Sequence, residues 1–102
     1  MATTTGLGID DIIAPYREEI LRIAAEHKAY NVRIFGSVAR GEAQPNSDID
    51  LLVDFKPGYT LWDHIGLKQA LESLFNRHVD VVAEADLKTG FRPYIMRDAM
   101  PI

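Results

Sequence analysis

Residues 48–55 read Asp48-Ile49-Asp50-Leu51-Leu52-Val53-Asp54-Phe55, a strand-forming run with carboxylates set into it. Side chains alternate along a strand, so Ile49, Leu51 and Val53 point one way and Asp48, Asp50 and Leu52 the other. An ionised carboxylate is costly to bury unless it is paired or bound to a metal. The run therefore belongs in a sheet that packs one face and leaves the carboxylate face to water or a ligand. A later segment, residues 78–83, sets Asp80 between Val79 and Val81, opposite their apolar face. If these two strands are neighbours, three carboxylates converge.

Around these strands the chain alternates elements. Residues 1–8 are polar and glycine-containing and are expected to fray. Tyr16, Ile20, Ile23, Ala24 and His27 recur at the spacing of one helical face, with Pro15 suited to the first position and Ile9, Ile12 and Ile13 an earlier turn. Residues 30–35 read as a strand that stops at Gly36, and residues 36–41 as one helical turn bounded by glycines. Gln44-Pro45-Asn46-Ser47 is a turn cluster, and Pro57-Gly58 ends the second strand.

Thr60 with Asp63 makes a capping-box pattern ahead of a helix carrying Leu61, Ile65, Leu71, Leu74 and Phe75. Asp86 is expected to cap a last helical region, broken in two by Gly90 and Pro93. The order predicts an α/β (α+β) fold, a small mixed sheet with helices packed on it. Residues 9–102 suffice for one compact domain.

Composition narrows the function. A net charge of −4 argues against broad adhesion to nucleic acid or anionic membrane. The absence of cysteine excludes disulfides, thiolate zinc sites and thiol catalysis. No basic, apolar leader opens the chain and no apolar stretch approaches the roughly 18 residues of a membrane span, so a cytoplasmic location is expected. A domain this small often gains stability from a hetero- or homo-oligomeric partner.

Three carboxylates close together would repel one another, and divalent cations would relieve that repulsion. An all-oxygen donor set favours Mg²⁺, or Mn²⁺, over zinc. Two such ions clamp the attacking and leaving oxygens of an in-line phosphoryl displacement. Gly36-Ser37 supplies a matching cradle: a glycine after a strand lets backbone approach a phosphate, and Ser37 adds a hydroxyl donor. Arg40 offers a further phosphate contact, or pairs with Glu42, or faces solvent. Residues 36–42 are not a P-loop, because Glu42 stands where the lysine must be. His27, His64 and His78 lack ligand spacing and read as packing or surface residues, and Trp62 and Phe75 as core or interface anchors.

Gly36-Ser37, ten residues, then Asp48-Ile49-Asp50 resembles the signature of the DNA polymerase β-like nucleotidyltransferases. Residues 35–42 with 47–53 resemble the minimal nucleotidyltransferase (MNT) branch in particular, as does the tail Arg92-Pro93-Tyr94-Ile95-Met96-Arg97-Asp98-Ala99. The resemblance implies that Gly36 and Ser37 hold a triphosphate, that Asp48 and Asp50 ligate both metals, and that Asp80 completes the site and helps to take the acceptor's proton. It implies ATP as donor and, as acceptor, a tyrosine of a HEPN-domain ribonuclease toxin that the protein would silence as its antitoxin. Two alternatives stand beside this: an antitoxin acting by binding alone, and a small-molecule nucleotidyltransferase, which the lack of an acceptor domain disfavours.

Overall fold

The computed structural model describes residues 6–102. The chain forms a four-stranded sheet of order β3-β2-β1-β4, from β1 (Ala29–Phe35), β2 (Ile49–Phe55), β3 (Val79–Ala83) and β4 (Met100–Pro101). β1 runs antiparallel to β2 and to β4, and β2 runs parallel to β3. The helices are α1 (Ile9–Ile12), α2 (Arg17–Glu26), α3 (Gly36–Ala39), α4 (Leu61–Phe75) and α5 (Arg92–Asp98). None of the described helices is long and apolar enough to cross a membrane.

The apolar alternation read from β2 sets the layers. Ile49, Leu51 and Val53 join Val32, Ile34, Val79 and Val81 in a core closed by Ile12, Ile20, Ile23, Leu67 and Leu71 from α1, α2 and α4. Truncating a fully buried leucine such as Leu67 or Leu71 to alanine costs about 2–5 kcal/mol. His27 packs as expected: its Nδ1 lies 2.8 Å from the Ile23 carbonyl, and its ring fills the space that a side chain at Gly66 of α4 would need.

β1 is bulged. Its register against β2 shifts between Tyr30 and Arg33, where Asn31 takes a positive φ of 51° and donates to Asp54 Oδ2 at 2.9 Å. The extra residue resets the alternation so that Val32 and Ile34 enter the core and Arg33 turns to the opposite, carboxylate face. There Arg33 is buried, ion-paired with Glu84 and 3.5 Å from Asp54 Oδ1. Arg92 Nη1, at the start of α5, lies 3.7 Å from Glu84. The segment after β3 thus covers this half of the face, where Leu52 is also buried.

Several expectations need correction. The fraying expected of residues 1–8 does not extend to Leu7, which exchanges two backbone hydrogen bonds with Ala43; residues 1–5 lie outside the described residues. Leu61 and Trp62 are 69% and 78% exposed, so Trp62 does not fill the core half of its expected core-or-interface role, and Leu67 and Leu71 anchor α4. Asp86 sits inside a short 3₁₀ turn (Glu84–Asp86) rather than capping a helix, and Pro93 lies in the opening turn of α5 rather than breaking it, where a missing N–H costs nothing. β4 follows α5 at the end of the described chain and was not expected at all.

Candidate active site

The sheet register builds the site. Phe35 at the end of β1 stands opposite Asp50, and Asp50 stands opposite Asp80 across the parallel pair. The two aspartates therefore share a face, as the alternation predicts. Gly36 follows Phe35 with a φ of +75°, and a Cβ built there would lie 2.2 Å from Asp50 Oδ2. Glycine is needed twice, for the left-handed backbone and for the close approach. Ser37 is half-buried in the first turn of α3, where amide groups lack intrahelical acceptors. Gly36 thus lies against Asp50, and Ser37 is the residue that follows it.

The same parallel register aligns two triplets, Asp48-Ile49-Asp50 and His78-Val79-Asp80, through the pairs Ile49–Val79 and Asp50–Asp80. Asp48 and His78 each lie one residue ahead of their strands and meet: His78 Nδ1 is 3.3 Å from Asp48 Oδ2, and its Nε2 is 3.7 Å from Asp80 Oδ1. One ligand atom each from Asp48, His78 and Asp80 fall within 4.8 Å of one another. His78 is a surface residue, as expected, but it belongs to this cluster, which its spacing along the chain did not reveal. The readable signal is the shared spacing of the two triplets, and it becomes legible only once the strands are known to be parallel neighbours.

His78 is held from the other side by α4. Lys68 Nζ lies 3.2 Å from His78 Nε2 while donating to Glu72 Oε2 at 3.0 Å and to the Val79 carbonyl at 2.7 Å. Glu72 also accepts from Val79 N at 3.1 Å. Lys68 first, then that backbone bond, holds the Glu72 carboxyl below its ordinary value.

Electrostatics mark Asp50. Burial first, and then the neighbouring Asp80 and Asp48 carboxylates, push its carboxyl up to about 6, against a weaker opposing pull from His78. A group of carboxylates that resists full ionisation is a donor set suited to a divalent cation, whose charge removes the conflict. The residues present fit such an ion.

Arg40 stands apart from this arrangement. Its Nε donates to Glu42 Oε1 at 2.8 Å and its Nη1 to Asp98 Oδ2 at 2.9 Å, tying α3 to α5. It lines a cleft of about 490 Å³ with Gly8, Asp10, Asp11 and Met100, and none of the three aspartates of the site borders that cleft. Pairing with Glu42 is thus realised, and both partners compete with any phosphate for this guanidinium.

A profile of the nucleotidyltransferase domain family matches residues 17–101. The protein adenylyltransferase MntA of Thermococcus cleftensis is 34% identical to this chain over 103 residues, covering 98% of each. A solved structure assigned to the minimal nucleotidyltransferases superposes with a TM-score of 0.80 at 47% identity, over 94% of this chain and 97% of that one. A chain from the complex of tri-AMPylated Shewanella oneidensis HEPN toxin with MNT antitoxin shares the fold. Its TM-score is 0.65 at 19% identity, over 85% of this chain and 68% of that one.

Proposed function

The chain belongs to the nucleotidyltransferase domain family, and on that premise we propose that it is a protein adenylyltransferase. It would move AMP from ATP, with Mg²⁺ or Mn²⁺, onto a tyrosine hydroxyl of a HEPN toxin in the cytoplasm, and so act as the antitoxin. The observation that carries this reading is the pairing of Asp50 with Asp80 across parallel strands, with Gly36 backbone against Asp50. The similarity to a named protein adenylyltransferase along 98% of both chains supports the reaction class.

In this reading Gly36 and Ser37 hold the triphosphate through backbone amides and the Ser37 hydroxyl. Asp48, Asp50 and Asp80 would hold the ions, which when bound supply charge neutralisation for the attacking and leaving oxygens. The acceptor oxygen attacks the α-phosphorus, the bond to the β-phosphate oxygen breaks, and pyrophosphate leaves. Asp80, the half-exposed carboxylate on β3, takes the acceptor's proton. Arg40, held by Glu42 and Asp98, reaches a phosphate only by giving up one of those pairs.

The test is transfer of label. ATP labelled at the α-phosphate should mark the HEPN partner in the presence of Mg²⁺, whereas label at the γ-phosphate should leave with pyrophosphate. Toxin so modified should stay inactive after the antitoxin is removed. A double variant, Asp48→Asn with Asp50→Asn, that still protects cells would replace this reading by neutralisation through binding alone.

A further inference from the structure

We infer that His78 is a nitrogen ligand of the ion site, and that this donor makes the site favour Mn²⁺ over Mg²⁺. The inference rests on the metal-dependent reading above and changes its chemistry, because the carboxylates alone form an all-oxygen set.

Three observations carry it. The parallel register sets His78-Val79-Asp80 beside Asp48-Ile49-Asp50, so the imidazole stands next to Asp48. Its two nitrogens face the two outer aspartates at 3.3 and 3.7 Å, and one donor atom from each of the three residues fits within 4.8 Å. The ring is half-exposed and contributes nothing to the core, and Lys68 lies beside Nε2, so that Nδ1 is the nitrogen turned to Asp48.

The remaining contacts set a condition. Binding an ion through Nδ1 requires the tautomer with its proton on Nε2, so Lys68 Nζ, 3.2 Å from Nε2, must turn away from it, and Glu72 Oε2 at 4.0 Å is beyond hydrogen-bond distance. Lys68 keeps its bonds to Glu72 and to the Val79 carbonyl when it yields Nε2. Imidazole binds first-row transition ions well, whereas Mg²⁺ prefers oxygen and keeps its water. A mixed nitrogen–oxygen site thus gains affinity for Mn²⁺ that it does not gain for Mg²⁺.

The test uses Mn²⁺ itself, added with inorganic tripolyphosphate so that no nucleobase nitrogen is present. Pulsed EPR of the full chain should show coupling of Mn²⁺ to ¹⁴N, and labelling only the histidines with ¹⁵N should convert that coupling to the ¹⁵N pattern. His78→Gln should abolish the coupling and weaken Mn²⁺ at least about tenfold, while Mg²⁺ affinity changes by less than about twofold. The isotope experiment needs no substitution and stands if the variant fails to fold. A parent without nitrogen coupling, or a folded His78→Gln protein that binds Mn²⁺ as tightly, overturns the role of His78 and leaves the carboxylate site intact. Failure of the parent to bind Mn²⁺, or unchanged binding by Asp48→Asn, overturns the metal-dependent reading beneath it.

Discussion

Asp50 shares its face of the sheet with Asp80 and lies near Asp48, and its carboxyl sits at about 6 instead of 3.8. In the unfolded chain that shift disappears, so between about pH 4 and 6 the folded protein binds a proton that the unfolded chain releases. The sign follows: this group makes the metal-free protein less stable as pH rises through about 6, and the effect then levels off. Metal-free Tm should rise when pH falls from 7.5 to 5.5, and Asp50→Asn should flatten that slope and raise Tm at pH 7.5. Screening of the half-buried group limits the gain to about 1 kcal/mol. An unchanged slope in the variant would remove Asp50 as its source. Gly36→Ala should act in the opposite direction. Its φ of +75° and the Cβ position 2.2 Å from Asp50 Oδ2 force either the backbone or the carboxylate to move. We expect a loss of about 1–3 kcal/mol in urea unfolding, together with loss of label transfer. A variant of parental stability and activity would show that the close approach is dispensable.

β3 is an outer strand of the sheet, and α4 shields its free edge. His64 Nε2 lies 2.8 Å from the Val81 carbonyl, Lys68 donates to the Val79 carbonyl, and Glu72 accepts from Val79 N. The three residues are spaced four apart, so they form one stripe of the helix. An unshielded edge strand templates pairing with another chain. Replacing all three by alanine should therefore increase self-association over the parent in analytical ultracentrifugation; identical sedimentation would dismiss the shielding role. The elements themselves were legible where apolar periodicity and turn residues agreed, as in β1, β2, β3 and α4. The chain after residue 84 was not: a proline one residue into a helix reads the same as a helix breaker, and a strand made of Met100 and Pro101 has no period to detect. Asp48 and Asp50 were legible on one face because alternation fixes the face each takes, Asp80 joined them on the condition that its strand is their neighbour, and Gly36 was legible from its place at a strand end. His78 was not, since its partners depend on which strands run parallel. The second partner of Arg40, Asp98, lies 58 residues away, beyond any local pattern.

At the scale of the molecule, α1, α2 and α4 close one face of the sheet, and the chain after β3 covers only the Arg33 half of the other. Asp48 and Asp80 remain at least half-exposed at the open end, so an acceptor can reach them from outside the chain. The same openness exposes the site to solvent ions and links the stability of the whole fold to their binding. An ion or ion–nucleotide complex that binds only the folded chain at about ten times its Kd adds about 1.4 kcal/mol. For a domain of this length that corresponds to a Tm increase of several degrees. Mg²⁺ with ATP should produce this increase at pH 7.5, and Asp48→Asn should remove most of it. Protons compete for Asp50 below about 6, so the increase should shrink as pH falls from 7.5 to 5.5, opposite in direction to the metal-free slope. Differential scanning calorimetry with and without the ligand separates the two trends. A gain independent of pH, and retained in Asp50→Asn, would place the stabilising ion somewhere other than between β2 and β3.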